Sequence, residues 1–489
     1  MSVRITDSKL NVFNPSTGCD ITSIPMTTKT ELRHILLRAR DIADQYNHVS
    51  FAQRKKLMLQ FRKGIVKHMD EFIEIICSET GKKEVEGLME LYISLEHLQQ
   101  ATKQLHEALG KKLRRVGMMK TKKAWIEYEP MGVAGIISPW NYPLILTLSP
   151  IVEALLAGNS VVLKPSEHTP LTARLLKKVW DQSTNQTDLF QIIYGAGEVG
   201  HELVISDCTD IICFTGSTAI GKNIALDCAS CFKPVILELG GKDPMIILDD
   251  ADLERSVNAA LWGGLSNSGQ TCISVEHIFA HEKIYPIIVD KLADKIQKMS
   301  SGIDQSDLGS ISVYSGIEKI QSHIDETREK STVIEGIGDG GYFLPPTLVI
   351  NPSIESQIMK EETFGPVMTI HPFSNDEEAI KLANMAGYGL SASIFGKNYG
   401  RMKSISKRIK VGSIIYNDVL THYGIADLPF GGMGLSGMGK VHGKEGIRAF
   451  SVQKSFLNNR IALKSEFWWF EKREKFGKII RRWIKWRYS

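Results

Sequence analysis

Apolar positions recur in two rhythms along this chain. Between Thr30 and Leu109 they fall three and four residues apart, as in Phe51, Leu57, Leu59, Phe61, Ile65 and Met69, among residues that favour helices. That spacing predicts several helices. From Gly132 to Gly241 short β-branched runs, at 133–137, 160–163, 191–194, 211–214 and 235–237, alternate with helical stretches. Strands separated by helices predict a doubly wound parallel sheet with loops at the carboxyl ends of its strands, where such sheets bind ligands. A second series at 245–248, 277–280, 368–370, 391–395 and 413–416, with helices expected at 251–262 and 285–299, predicts a second α/β domain. Residues 112–129 differ, because polar and apolar residues alternate there as in an exposed hairpin or an oligomer arm.

Composition narrows the function classes. The 489 residues give room for two to three domains at about 150 residues each. With 59 Lys+Arg against 55 Asp+Glu, the net charge of +4 argues against a whole-chain polyanion binder, and no nucleic-acid partner is expected. Seven cysteines, at 19, 77, 208, 213, 228, 231 and 272, are too sparse for a secreted disulfide framework and suit a reducing, cytoplasmic compartment. Charges scattered through residues 1–9 leave no signal-peptide core, and no uncharged apolar run approaches the roughly 18–20 residues needed to span a bilayer.

Three residues are candidates for chemistry. Cys272 lies in Gly269-Gln-Thr-Cys-Ile-Ser274, with glycines at 263, 264 and 269 expected to let backbone approach a ligand closely. A lone Cys is equally at home as a small buried hydrophobe. Glu238 ends the apolar run Val235-Ile-Leu and precedes two glycines, a placement that suits either a general base or a turn cap. Asn141, between Pro139 and Pro143, is a stiffened amide donor of the kind an oxyanion hole uses. Two glycine-rich stretches could hold a nucleotide. Gly195-Ala-Gly-Glu-Val-Gly200 fits G-x-G-x-x-G but lacks a clear acidic partner about 20 residues on. Phe214-Thr-Gly-Ser-Thr-Ala-Ile-Gly-Lys222 runs from a strand into a helix and offers free N–H groups to a pyrophosphate, so it is favoured. Cys228 and Cys231 have no second Cys/His pair at suitable spacing, and no metal is expected.

Taken together, Pro139-Trp-Asn-Tyr-Pro143, Lys164-Pro-Ser-Glu167, Phe214-Thr-Gly-Ser217, Glu238-Leu-Gly-Gly241, Gly269-Gln-Thr-Cys272, Glu361-Glu-Thr-Phe-Gly-Pro366 and Pro429-Phe-Gly-Gly432 resemble the NAD(P)-dependent aldehyde dehydrogenases, in order, from about Asn14 to Lys454. Asn417-Asp-Val-Leu-Thr-His422, the 428–439 stretch and His442-Gly-Lys444 look like the class 3 and fatty aldehyde branch, although Phe13-Asn-Pro-Ser-Thr-Gly18 departs from that branch. Other branches usually carry a lysine where Gly434 stands, and many relatives carry alanine and arginine where Ser274 and His277 stand.

The resemblance implies an α/β aldehyde dehydrogenase fold. Its expected parts are a Rossmann-like NAD-binding domain over 1–111 and 131–240, an α/β catalytic domain over 241–448, and a small β oligomerisation element from 112–130 and 449–459 that forms a homodimer. It implies Cys272 as nucleophile, Asn141 as oxyanion donor and Glu238 as the base that activates water, with the free acid as product. Lys164 and Glu167 are implied at the adenosine ribose, Ser217 at the pyrophosphate, Glu362 and Phe364 at the nicotinamide half, and Trp140 beside the same cleft. Phe214, Gly216, Leu239 and Gly240 complete that cofactor set. Glu167 would accept both ribose hydroxyls and repel a 2′-phosphate, which favours NAD and keeps NADP open. Tyr142, Leu146 and Leu148 bring no charge for an acidic substrate, so an apolar, medium- or long-chain aldehyde is expected. Other readings are a semialdehyde or aromatic aldehyde dehydrogenase, an idle membrane-associated binding protein, and a cysteine hydrolase using Cys272 and His277.

The end of the chain is a separate case. Residues 461–489 carry nine Lys/Arg and three Glu, a net of +6. At about 100° per residue, Phe476, Ile479, Ile480, Trp483, Ile484 and Trp486 share one helical face, and Lys475, Lys478, Arg481, Arg482 and Lys485 the other. The basic, aromatic, amphipathic tail over 460–489 suits peripheral contact with an anionic membrane or packing on protein, with Phe467-Trp-Trp-Phe470 as interfacial aromatics.

Overall fold

Capping boxes start the first two helices. Thr28 accepts the Glu31 N–H while the Glu31 carboxylate accepts the Thr28 N–H, and Ser50 and Gln53 repeat the exchange, opening Lys29–Tyr46 and Phe51–Lys67. Met69–Thr80, closed by Gly81 at φ 74°, and the long Glu84–Leu109 complete the helices expected from the 30–109 spacing. The computed structural model describes residues 4–6, 8–461 and 463–489; Met1, Ser2, Val3, Asp7 and Ala462, within the ranges given above, lie outside the described residues. Three antiparallel strands, Arg4–Thr6, Lys9–Asn14 and Cys19–Pro25, precede the helices.

The described chain packs as two units, Met1–Leu109 with Pro130–Val452 and Gly110–Glu129 with Gln453–Ser489. The first holds two sheets. One carries five parallel strands, Val133–Ile137, Ser160–Lys164, Phe190–Ile192, Ile211–Thr215 and Val235–Glu238, in the spatial order fifth, fourth, first, second, third; the short Gly437–Met438 runs antiparallel at its edge. This order places a topological switch point between Val133–Ile137 and Ile211–Thr215, and crevices of this kind hold ligands beyond the carboxyl ends of the strands. The loops that leave the two strands carry Trp140 and Asn141, and Gly216 and Ser217.

From Glu238 only four residues lead into Asp243–Ile247, the fifth strand of a seven-stranded sheet. Its order is Thr332–Glu335, Thr347–Ile350, Val367–Phe373, Val275–His281, Asp243–Ile247, Ser391–Phe395 and Ser413–Tyr416, parallel except at Thr332–Glu335. Met245 and Ile247 enter one apolar cluster and Ile246 and Leu248 another, as the alternation of a strand covered on both faces requires. Helices Leu253–Leu265 and Tyr285–Lys298 pack on the first of these faces.

In the second unit, Lys112–Arg114 and Lys122–Pro130 form the hairpin that the alternation predicts, and Ser451–Asn459 is the third strand of its sheet. Trp125 stacks on Phe456 with centroids 5.3 Å apart, and Lys454 reaches Glu129 at 2.9 Å. The final helix, Arg473–Tyr488, buries none of its residues. Phe476, Ile480 and Trp483 on its apolar face are half-buried, and Phe476 meets Trp468. Among the described residues no helix is long and apolar enough to cross a membrane.

Candidate active site

Helix Leu253–Leu265 ends in a tight turn, Ser266–Gly269, in which Asn267, Ser268 and Gly269 all take positive φ (54°, 55° and 71°). The turn is tied to the Asn141 loop. Asn267 Nδ2 donates to Asn141 O at 3.0 Å, and Asn141 Nδ2 donates to Gln270 O at 2.9 Å. Lys82 Nζ also donates to Asn141 O (2.9 Å) while paired with the buried Glu90 at 2.7 Å. One of the two amide hydrogens of Asn141 therefore fixes its position beside the Cys272 segment, and the other is left for a ligand.

The glycines around Cys272 do not serve a ligand, contrary to expectation. A Cβ on Gly263 would meet Val275 and Val419, one on Gly264 would meet Met368, and one on Gly269 would lie 1.9 Å from Gly365 O. They make room for the protein's own packing. Ser274 and His277 also find structural employment: Ser274 Oγ donates to the carbonyls of Gly263 and Gly264, and His277 reaches Thr369 Oγ1 at 2.7 Å and Met359 O at 3.2 Å. With both ring nitrogens engaged, His277 is no base for Cys272, which removes the hydrolase reading. Cys228 is buried in helix Thr218–Ser230 and Cys231 lies exposed just past its end; among the described residues no group of three or more His, Cys, Asp or Glu could hold a metal.

Cys272 and Glu238 line one small cavity, with Leu146, Pro150, Phe430 and Val441 among its apolar walls. Leu148, expected beside them, is turned into the core with no exposure, and the Tyr142 hydroxyl is engaged by Thr271 at 2.8 Å. Both Glu238 carboxylate oxygens are buried without a hydrogen-bond partner. Burial raises this carboxyl well above its ordinary range, partly offset by Lys440. Burial also pushes the Cys272 thiol up, and the Glu362, Asp243 and Glu238 carboxylates add to that. A raised, unpartnered carboxylate facing a cavity with a thiol is what proton transfer from an entering water requires. Next to this cavity the reading of the sequence overlooked His97, Glu153 and His442: the two rings lie 4.4 Å apart, Glu153 Oε1 accepts the His442 N–H at 2.8 Å, and neither ring has a hydrogen-bonded nitrogen. His442 was visible only as part of a branch motif.

The cofactor candidates gather at the switch point. Ser217 caps helix Thr218–Ser230 by accepting the Ile220 N–H, with Gly216 seated on the Phe214 ring, so the first N–H groups of a 13-residue helix face outward as a phosphate-binding end. Leu239 packs under the same helix against Gly221, and the Gly240 carbonyl accepts from Ser436 at 2.7 Å. Lys164, at the end of the neighbouring strand, holds Glu167 at 3.0 Å. Burial raises the Glu167 carboxyl, but Lys164 and His168 more than offset this and keep it below its ordinary range. Glu362 Oε1 accepts the Gly241 N–H at 2.9 Å, and Trp140 meets the Phe364 ring edge-on at 5.5 Å. A helix N-terminus for a diphosphate, a carboxylate with a paired ammonium for ribose hydroxyls, and aromatic faces for a flat ring form a donor set that fits a nicotinamide dinucleotide. The rival 195–200 stretch instead opens helix Gly197–Ile205, where Gly200 packs against Ile137 and Lys164.

Comparison with known proteins agrees with this geometry. Residues 3–456 match the aldehyde dehydrogenase family. The chain is 34% identical over 464 residues to 4,4′-diapolycopene aldehyde oxidase of Methylomonas sp, covering 94% of this chain and 87% of that one. It is 30% identical over 454 residues to a provisionally named succinate-semialdehyde dehydrogenase (NADP+) of Mycolicibacterium smegmatis, covering 91% and 88%. The crystal structure of betaine aldehyde dehydrogenase from Staphylococcus aureus in complex with NAD+ superposes with a TM-score of 0.89 at 29% identity, over 94% of this chain and 93% of that one. The two-sheet α/β architecture is the aldehyde dehydrogenase fold, and the chain belongs to the aldehyde dehydrogenase family, oxidoreductases that act on the aldehyde group.

Proposed function

We propose that this enzyme oxidises an apolar aldehyde of medium or long chain to the carboxylic acid with NAD, NADP remaining an alternative, and that it sits in the class 3 and fatty aldehyde branch. The observation that carries the substrate class is the lining of the Cys272 cavity. It includes Leu146, Pro150, Tyr423, Phe430 and Val441 and, among the described residues, no Lys, Arg or His, so the acid end of a semialdehyde would find no counter-charge. The similarity to an oxidase named for a diapolycopene aldehyde supports the same class.

In this reading the Cys272 sulfur adds to the aldehyde carbon, and the free N–H of Asn141 with the Cys272 backbone N–H holds the oxyanion. NAD, when bound, supplies the hydride acceptor. Trp140, Phe364 and Glu362 would hold its nicotinamide half. Ser217 and Gly216 would hold its diphosphate, with Phe214, Leu239 and Gly240 shaping the floor, and Lys164 with Glu167 would hold the adenosine ribose. Glu238 then takes a proton from a water that attacks the thioester, which releases the acid and returns Cys272. A base at this place favours hydrolysis over transfer to coenzyme A.

The roles divide along the chain: cofactor binding in 1–111 and 131–240, catalysis in 241–448, and assembly through 112–130 and 449–459. The long exposed strand Ser451–Asn459 lies at the edge of its sheet and is the natural seat of a homodimer contact. The basic tail supports peripheral contact with an anionic membrane at the cytoplasmic face.

The test is NADH formation against linear aldehydes of increasing length, beside aromatic and semialdehyde substrates. kcat/KM is expected to climb with chain length, to vanish in Cys272→Ala, and to fall steeply in Glu238→Gln with no need for coenzyme A. Preference for succinate semialdehyde would overturn the substrate class, and full turnover by Glu238→Gln would overturn the base.

A further inference from the structure

The turn that carries Glu362 and Phe364 is not held by its own sequence. Phe364 takes φ 58°, a left-handed conformation that a bulky residue adopts only under constraint. The constraint is the carboxylate of Glu276. It accepts the N–H of Thr363 at 2.9 and 3.0 Å and the N–H of Phe364 at 3.0 Å, two successive donors of the turn. Lys242 Nζ lies 2.5 Å from Glu276 Oε2, with side-chain exposures of 0% and 3%, and also donates to Thr363 Oγ1 at 3.4 Å. His323 Nδ1 meets the same hydroxyl at 3.2 Å.

Position along the chain gives this pair its meaning. Lys242 follows Glu238 by four residues and Glu276 follows Cys272 by four, so one buried ion pair joins the base segment, the cysteine segment and the Glu362 turn. Burial of two charges often costs more than their attraction returns, and apolar residues of similar size frequently serve stability as well. The carboxylate's second use, orienting two backbone donors of a strained turn, is one that apolar residues lack.

We infer that Lys242 and Glu276 are positioning residues that hold the Glu362–Phe364 turn in the shape that grips the nicotinamide half of the cofactor. The inference rests on the reading of Glu362 and Phe364 as cofactor contacts. Neither Lys242 nor Glu276 touches the cofactor in this account; they act through the turn.

The test uses the full-length enzyme and NADH as the probe, followed by NADH fluorescence. Glu276→Gln is expected to weaken NADH binding by about tenfold or more and to raise KM for NAD above its effect on kcat, with Glu276→Asp recovering most of the affinity. Alkylation of Cys272 by iodoacetamide without cofactor, and KM for aldehyde, should change by less than about twofold, a split that general loss of structure would not give. Because Glu276→Gln leaves Lys242 buried alone, the double variant Lys242→Met/Glu276→Gln is measured beside it. Unchanged NADH affinity in a folded variant overturns the proposal, as does failure of both variants to fold, which would make the pair structural. Glu362→Gln separates the two layers: if it leaves NADH affinity unchanged, the cofactor reading falls and the inference with it, whereas weakening there but not in the Glu276 variants defeats the inference alone.

Discussion

The Cys272 side chain sits in a setting that opposes its own ionisation. Burial raises the thiol, and the carboxylates of Glu362, Asp243 and Glu238 raise it further, so the resting enzyme carries a thiol and not a thiolate. The charged form is the disfavoured one, and its fraction grows with pH throughout the range below the raised value. Alkylation of the free enzyme by iodoacetamide is therefore expected to speed up by about tenfold per pH unit from about pH 6 to about pH 9, without levelling. Glu238→Gln should make it faster only where the raised Glu238 carboxyl is ionised, so the gain appears toward the alkaline end of that range and fades toward the acid end. A plateau near neutrality would show that a cation reaches the sulfur and that this electrostatic account is wrong. Cys272, Glu238 and Asn141 were legible in the sequence as candidates, because each lies in a motif whose neighbours restrict the backbone. Lys242 and Glu276 were not, since their significance lies in a pairing across 34 positions. The glycines at 263, 264 and 269 were read backwards, because a missing side chain says that something comes close without saying what.

At the scale of elements, Gly241 fixes how near the segment after strand Val235–Glu238 approaches the Cys272 segment. A Cβ there would stand 2.0 Å from the Cys272 carbonyl oxygen, and backbone has no rotamer by which to yield. Gly241→Ala is expected to displace the cysteine segment and lower kcat/KM by on the order of 100-fold in a protein that still folds. Gly197→Ala is the contrasting case, because nothing lies within 4 Å of the added methyl. It should leave NADH affinity within about twofold and slightly stabilise helix Gly197–Ile205, whereas loss of binding would restore the 195–200 stretch as the nucleotide loop. The parallel strands were readable because burial on both faces turns them into largely apolar runs, as in Val133–Ile137. Cys19–Pro25 was not readable, since six of its seven residues are not buried and its Thr and Ser residues resemble a loop.

Over the whole molecule, charge is divided unequally. Residues 461–489 are net +6 in a chain of net +4, which leaves the rest at −2, so an anionic surface would attract the tail and mildly repel everything else. On helix Arg473–Tyr488 the side chains of Ile479, Ile484 and Trp486 are 62%, 49% and 77% exposed, apolar area suited to the headgroup boundary. At about 1 kcal/mol for each Lys or Arg near an anionic leaflet, a net charge of +6 would favour reversible binding in the membrane reading. The full chain is expected to sediment with vesicles that contain phosphatidylserine, and to be released as salt shortens the screening length from about 10 Å at 0.1 M to about 3 Å at 1 M. Protein that lacks residues 461–489 should remain in the supernatant while oxidising a short, water-soluble aldehyde at the same rate. Long-chain aldehydes partition into lipid, so the same vesicles should raise turnover of a long aldehyde by the full chain and lower it for the truncated one, which is left in water with little substrate. Equal sedimentation of the two proteins would remove the membrane role. Sedimentation by the full chain alone, with vesicles slowing both enzymes equally on the long aldehyde, would keep the contact and separate it from substrate supply.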